Sequence, residues 1–303
     1  MTTIRTLIDT SAAALTAAGV HFGHGTTNAQ DEAAWLVLWA LGLPVDSNSS
    51  SEGEDALGNQ PVSAADEAKV NALVEKRIST RKPAAYLTQQ AWLQGVPFYI
   101  DERSIVPRSL IAELLADGSI DDWLSAKTER VLDLCTGNGS LACLAAMAYP
   151  DVAVTGADLS PEALAVARIN VDQHGLQERV TLVQSNGMAN ARGPWDLILC
   201  NPPYVNAASM AALPLEYRAE PELALAGGND GMDFIRKLIF ELPQRLTEDG
   251  VLVLEIGNER EYFEAAFPGL PVFWMSTSSG DDQVLLLTHD ALRHWSQEQP
   301  TQL

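Results

Sequence analysis

Hydrophobic and polar positions change their rhythm about a third of the way along this chain. Residues 3–18 and 31–41 repeat their apolar positions at helical spacing, and the second run offers Trp35, Leu36, Leu38 and Trp39 to a core. Residues 63–78 predict a third helix, with Ser63 as its cap. Between them, residues 46–59 (DSNSSSEGEDALGN) are polar and predict a surface loop. A hairpin is expected around residues 91–102. Short apolar runs then begin near Arg130, Val152, Val180, Trp195, Gly250, Val272 and Gln283, with helical stretches between the earlier ones. Strands alternating with helices predict an α/β fold around a doubly wound, mostly parallel seven-stranded sheet. The last two runs have no helix between them, which suits an antiparallel edge strand. The expected division is a small helical domain over residues 1–88, a β-hairpin linker over 89–106 and an α/β domain over 107–303.

The chemistry gathers where the apolar runs end. Leu197-Ile198-Leu199-Cys200 leads directly into Asn201-Pro202-Pro203-Tyr204. Proline has no backbone N–H, so this turn presents carbonyls and the Asn201 side-chain oxygen without competing donors, on a stiffened backbone. A planar NH2 group can give one hydrogen to the Asn201 oxygen and one to the Pro202 carbonyl, with Tyr204 against its face. Such a pocket suits an amide or an amino group on an aromatic ring. Upstream, Arg130-Val131-Leu132-Asp133-Leu134 reads as a buried strand and Cys135-Thr136-Gly137-Asn138-Gly139-Ser140 as a tight loop before an apolar helix. Gly137 and Gly139 are expected to let a ligand approach the backbone. Neither the full dinucleotide fingerprint nor a phosphate-binding P-loop is present. The next strand ends in Asp158 roughly 20 residues after the glycines, the usual distance for a carboxylate that binds ribose hydroxyls. Ser160-Pro161-Glu162 then reads as a helix start.

DLCTGNG, GADLSPEAL and NPPY, in this order, resemble the class I S-adenosylmethionine-dependent methyltransferases that act on planar nitrogens. Pro83-Ala84-Ala85-Tyr86-Leu87, Gly95-Val96-Pro97-Phe98-Tyr99-Ile100 and Ile105-Val106-Pro107-Arg108 are similar to the hairpin and PR motif of the HemK-type protein glutamine methyltransferases. So are LPLEYRAEPELAL over residues 213–225, GGNDG over 227–231 and LEIGN over 254–258. Release-factor enzymes of this family carry PRPETE after the hairpin, whereas this chain has Pro107-Arg108-Ser109-Leu110-Ile111-Ala112-Glu113-Leu114. With His21-Phe22-Gly23-His24-Gly25-Thr26, that form resembles the branch acting on a glutamine of large-subunit ribosomal protein number three. The resemblance implies S-adenosyl-L-methionine held by Asp133, Thr136, Gly137, Asn138, Gly139, Asp158, Leu159 and Asn186. It implies a substrate amide held by Asn201, Pro202, Pro203 and Tyr204, with no metal and no covalent intermediate. The helical domain is expected to recognise the substrate protein. Family members usually carry an acid for the adenine amino group where this chain has Ser185-Asn186, and an Asn oxygen accepts the same bond without charge. At Cys135, glycine is commoner in the wider family. A release-factor substrate, a nucleic-acid amino group and a non-catalytic binding role stand as the alternatives.

Charge changes the balance among them. The chain has 303 residues, 40 acids against 19 Lys and Arg, and a net charge of −21. Non-specific nucleic-acid affinity depends on cations that neutralise phosphates, so stable DNA binding is not expected. An acidic enzyme is steered towards a basic partner, and ribosomal proteins are basic, free or in an assembling large subunit. Lys69, Lys76, Arg77, Arg81 and Lys82 form one basic run, read as a solvated helix face or a contact to ribosomal RNA. Cys135, Cys143 and Cys200 form no CxxC pair and suggest free thiols in a reducing compartment. His21 and His24 lack a third ligand nearby, so loop structure is expected there. No signal-peptide pattern opens the chain, and the longest apolar stretch is too short to span a bilayer. The expected location is the cytoplasm, with no membrane partner.

Overall fold

The computed structural model describes residues 1–45 and 56–298, and most of the polar stretch read as a loop lies outside them. The chain forms two compact units. One comprises Met1–Ala91, Ile100–Glu102 and Pro214–Glu220; the other comprises Trp92–Tyr99, Arg103–Leu213 and Pro221–Leu303.

The first unit is built on helices Ile4–Ala17, Ala29–Ala40, Ala64–Thr80 and Ala84–Thr88. Thr3, Asn28 and Ser63 cap the first three, each accepting a bond from a backbone N–H in the opening turn. Leu7, Leu15, Leu36, Val37, Val70 and Val74 fill the core, while Trp39 stays substantially exposed. The basic run divides: Lys69 and Lys76 are exposed on the helix face, as expected, but the arginines turn inward. Arg77 is fully buried. It donates from Nε to Glu32 at 2.8 Å and from Nη2 to the His21 carbonyl at 3.0 Å, and it pairs with Glu216 at 3.5 Å. Arg81 lies 3.1 Å from the same Glu216 carboxylate. Burial pushes the Glu32 carboxyl up, against the pull of Arg77. These cations neutralise internal acids, because a buried carboxylate needs a paired charge. The segment Pro214–Glu220, assigned from sequence to the α/β domain, thus clusters with the helical unit.

The second unit carries the sheet: β3 (Arg130–Leu134), β4 (Ala153–Asp158), β5 (Val180–Gln184), β6 (Trp195–Cys200), β7 (Leu246–Glu255), β8 (Phe273–Thr277) and β9 (Gly280–Thr288), in the order β5-β4-β3-β6-β7-β9-β8. The first five pair in parallel, and β9 runs antiparallel to β7. β8 forms the edge, so the antiparallel closure is a hairpin whose second strand is inserted against β7. Side chains alternate between two apolar layers. Val131, Leu197, Leu199, Val251 and Val253 enter one; Leu132, Leu134, Ile198, Leu252 and Leu254 enter the other. Helices Ile111–Asp117 and Ser140–Ala148 contribute to the first layer, and Asp233–Glu241 and Arg260–Ala266 to the second. Covered faces on both sides explain why these strands read as continuous apolar runs. The strand order reverses between β3 and β6, which makes their carboxyl ends the expected ligand crevice.

Before the sheet, β1 (Gln90–Leu93) and β2 (Val96–Tyr99) pair as the expected hairpin. Gln94 and Gly95 both have positive φ, as a two-residue primed turn requires. No helix among the described residues is long and apolar enough to cross a membrane.

Candidate active site

The glycine loop is shaped by three left-handed residues, Cys135, Gly137 and Gly139. A Cβ at Gly139 would lie 2.9 Å from the Ala167 methyl group, so this glycine serves close packing against helix Pro161–Gln173. That differs from its expected reason, ligand approach. A Cβ at Gly137 would meet Ser104 Oγ at 3.3 Å and Ile105 at 3.6 Å. Cys135 holds a left-handed backbone without glycine's freedom, which costs roughly 1–2 kcal/mol.

Asp133 is the electrostatic centre of the loop. It is fully buried. Oδ2 accepts the Thr136 hydroxyl at 2.5 Å and the Ala142 N–H at 2.9 Å. Oδ1 has no hydrogen-bond partner among the described residues. Loss of water pushes this carboxyl up to about 7, against the pull of Thr136 and Ala142. The Asn138 Nδ2 is likewise buried without a partner, while its Oδ1 accepts from Ser140 N and its carbonyl from Asn170. Asn170, which sequence reading passed over, also bonds both backbone groups of Tyr99 at the end of β2. One side chain therefore ties the hairpin to the glycine loop.

Asp158, at the end of β4, accepts from Gly137 N at 2.8 Å and Ser160 N at 2.9 Å. Burial pushes its carboxyl up, and those backbone donors pull it back. Leu159 beside it is 45% exposed, an unusual position for leucine. At the end of β5, Ser185 is buried and closes a turn onto the Gly187 carbonyl and Asn190 N. Asn186 is exposed at that same strand end.

The NPPY loop leaves β6 next to β3, with Cys200 in register with Leu134. The Asn201 side chain makes no hydrogen bond to any described residue, although the loop around it is held firmly. Tyr204 donates its hydroxyl to Glu255 at 3.2 Å. Asn206 donates to both oxygens of Glu259, at 2.9 and 3.0 Å, and caps the following helix. Val205 pairs with the 225–227 backbone through Leu225 O and Gly227 N. Three glycines let neighbouring backbone come close. A Cβ at Gly257 would lie 2.5 Å from the Tyr204 ring, one at Gly227 2.7 Å from Tyr204 Cα, and one at Gly231 would collide with the Tyr204 carbonyl. The GGNDG and LEIGN motifs are thus the brace of the NPPY loop. Glu255 is the site residue that sequence underweighted. Its strand end was visible, but nothing local revealed its partners.

His24 is buried beside Glu220 at 3.5 Å and tilted onto Tyr217 at 4.3 Å. It belongs to the packing of the helical unit.

The sequence pattern described as "Methyltransferase small domain" matches residues 114–216. A ribosomal protein uL3 glutamine methyltransferase of Bordetella pertussis (strain Tohama I) is 50% identical over 96% of both chains. Its counterpart of the same name in Neisseria gonorrhoeae is 45% identical, again over 96% of both. The chain belongs to the ribosomal protein uL3 glutamine methyltransferase family. Among solved structures, the hMettl16 catalytic domain in complex with MAT2A 3'UTR hairpin 6 matches with a TM-score of 0.51 and 12% identity, over 80% of this chain and 92% of that one. At that identity the likeness concerns the fold alone, that of a class I methyltransferase.

As a member of the uL3 glutamine methyltransferase family, the chain is an enzyme that uses S-adenosyl-L-methionine, and its residues fit that group. The unpartnered Asp133 oxygen is an acceptor for an ammonium, and the unpartnered Asn138 amide is a donor for a carboxylate. Asp158 retains acceptor capacity for hydroxyls. Exposed Leu159 offers an apolar surface to a base.

Proposed function

We propose that this chain transfers a methyl group from S-adenosyl-L-methionine to the side-chain amide nitrogen of a glutamine in ribosomal protein uL3, in the cytoplasm. One observation carries the reading. Asn201 presents an amide with no hydrogen bond among the described residues, on a loop where Tyr204, Val205 and Asn206 are braced. Near-full-length relatives bearing the uL3 name support the substrate.

In this reading Asp133, Thr136, Gly137, Asn138, Gly139, Asp158, Leu159 and Asn186 hold the methyl donor. The donor supplies an electrophilic methyl carbon on a sulfonium sulfur. The remaining work falls to the loop. An amide nitrogen is a poor nucleophile because its lone pair is shared with the carbonyl. Asn201 Oδ1 and the Pro202 carbonyl accept its two hydrogens and fix the plane of the NH2 group. Pro203 stiffens the turn, and Tyr204 forms a wall against the amide face. Orientation of this kind contributes up to roughly 7–11 kcal/mol in well-aligned systems. Methylation makes the nitrogen acidic, so its proton leaves afterwards without a strong base. The helical domain, residues 1–88, recognises the folded substrate, and the hairpin, residues 89–106, joins it to the catalytic domain, residues 107–303. The substrate is basic, met either free or on an assembling large subunit.

The test is a transfer assay with labelled methyl donor and uL3, both free and in precursor particles from cells lacking this gene, read by peptide mass spectrometry. One added methyl on a uL3 glutamine is the expected result. Label on a release factor overturns the substrate, and label on nucleic acid alone overturns the amide pocket.

A further inference from the structure

Glu255 ends β7, the parallel neighbour of β6, one residue beyond the pair Cys200 and Leu254. It therefore stands beside the root of the NPPY loop. Carboxylates are seldom buried without paired partners, yet Glu255 is only 3% exposed. Its two oxygens are divided between two segments. Oε2 accepts the Ser109 hydroxyl at 2.6 Å and the Leu110 N–H at 2.9 Å; Oε1 accepts the Tyr204 hydroxyl at 3.2 Å. Arg108 adds a nearby positive charge.

The carboxylate has a structural part, since it satisfies the Ser109 and Leu110 donors, but that part uses only one of its oxygens. The preceding strand residues are apolar and fully buried, and an apolar side chain at a strand end avoids the cost of desolvating a charge. The other oxygen of Glu255 holds Tyr204. The ring already lies flat on Gly257, where a Cβ would come within 2.5 Å of it. That contact limits the ring on one side. The bond to Glu255 holds the tip, and the Ser109 and Leu110 donors hold Glu255.

We propose that Glu255 is a positioning residue for methyl transfer, which locks the Tyr204 wall of the amide pocket by tying it to the Ser109–Leu110 turn. The inference rests on the amide-pocket reading above. It separates Glu255 from the residues that touch the substrate, because it acts through Tyr204. Loss of the carboxylate removes the bond that fixes the Tyr204 hydroxyl and slows the chemical step without weakening either ligand.

The experiment compares kcat, the KM for the protein substrate and the Kd for S-adenosyl-L-methionine in the parent, Glu255→Ala, Glu255→Gln, Tyr204→Phe and the Glu255→Ala/Tyr204→Phe double variant. Parent activity is read first on uL3, which tests the substrate alone, and the variant ratios are taken on whichever protein the parent labels. Glu255→Ala is expected to lower kcat by about tenfold or more, with KM and Kd within about threefold. Glu255→Gln, which keeps an acceptor for Leu110 and a hydrogen bond to Tyr204, recovers most of that loss. In the double variant the losses do not multiply, because either single change already breaks the shared bond. Multiplying losses, or a Glu255→Ala defect that follows only the folded fraction or the cofactor Kd, overturn the proposal. If Glu255→Ala does not fold, Tyr204→Phe decides by itself: parental kcat overturns the proposal, and a kcat loss at constant KM supports it.

Discussion

At the level of single residues, the site divides into side chains left open and side chains already committed. Asn201 is open among the described residues, whereas Tyr204 and Asn206 are committed. Asn201→Ala is therefore expected to cut transfer by at least about a hundredfold while the Kd for S-adenosyl-L-methionine changes little. Calorimetry beside a transfer assay checks this, and equal losses in both would contradict it. Asp133 is open on one oxygen and titrates near pH 7 instead of near its ordinary 3.8. Between those values the folded chain holds a proton that the unfolded chain has released. Stability from this group is fully present below about pH 3.8 and is lost as pH rises through about 7. Asp133→Asn cannot ionise. It should match the parent's melting temperature near pH 4, exceed it by several degrees at pH 8, and bind the methyl donor more weakly at pH 8, where the parent carries the charge. A melting series across pH checks the sign; a parent that melts higher at pH 8 refutes it. Asn201, Asp133 and Asp158 were legible in the sequence because each sits at a strand end beside a turn motif. The strand-end place of Glu255 was legible too, but its partners and the roles of Asn170 and Glu259 were not, since Glu255 finds Ser109 and Leu110 across about 145 residues and Asn170 finds Tyr99 across 71.

At the level of elements, continuous apolar runs revealed the strands, because helices cover both faces of the sheet. The inserted position of β9 was less visible, since a hairpin reads alike whichever strand lies inside. Glycine was only half readable. A sequence tells that a left-handed turn is allowed, but not what the missing Cβ would strike. Gly257 and Gly269 make the point. Both have positive φ, yet a Cβ at Gly257 lands on the Tyr204 ring and one at Gly269 meets nothing within 4 Å. Gly269→Ala should cost about 1–2 kcal/mol from backbone strain alone. Gly257→Ala should cost roughly 1–3 kcal/mol more from overpacking, and it should lower kcat because Tyr204 must move. Denaturant unfolding of both variants isolates the steric part. Equal destabilisation would mean that the Tyr204 ring yields without cost, and the brace described for the NPPY loop would lose its support.

At the level of the whole molecule, the fold class followed from the alternation of strands and helices, and the helical amino-terminal unit from its caps and apolar spacing. The attachment of Pro214–Glu220 to that unit did not follow, because it depends on Glu216 meeting Arg77 and Arg81, charges that read as surface when taken in order along the chain. Burying Arg77 also removes a cation from the surface, which leaves an already acidic protein with one group fewer to offer a phosphate backbone. A net charge of −21 is a field as well as a composition. Such a field raises the encounter rate with a basic protein and is screened once the Debye length falls from about 10 Å at 0.1 M salt to about 3 Å at 1 M. For a basic substrate, kcat/KM should fall by about tenfold or more between roughly 0.05 and 0.5 M salt. The kcat should stay level, because the amide pocket is closed by short-range bonds that salt screens little. A glutamine peptide of neutral charge, assayed in parallel, should show no such slope. A flat kcat/KM for the basic substrate would mean that capture depends on contacts alone, and a falling kcat would place the salt-sensitive charges in the catalytic step.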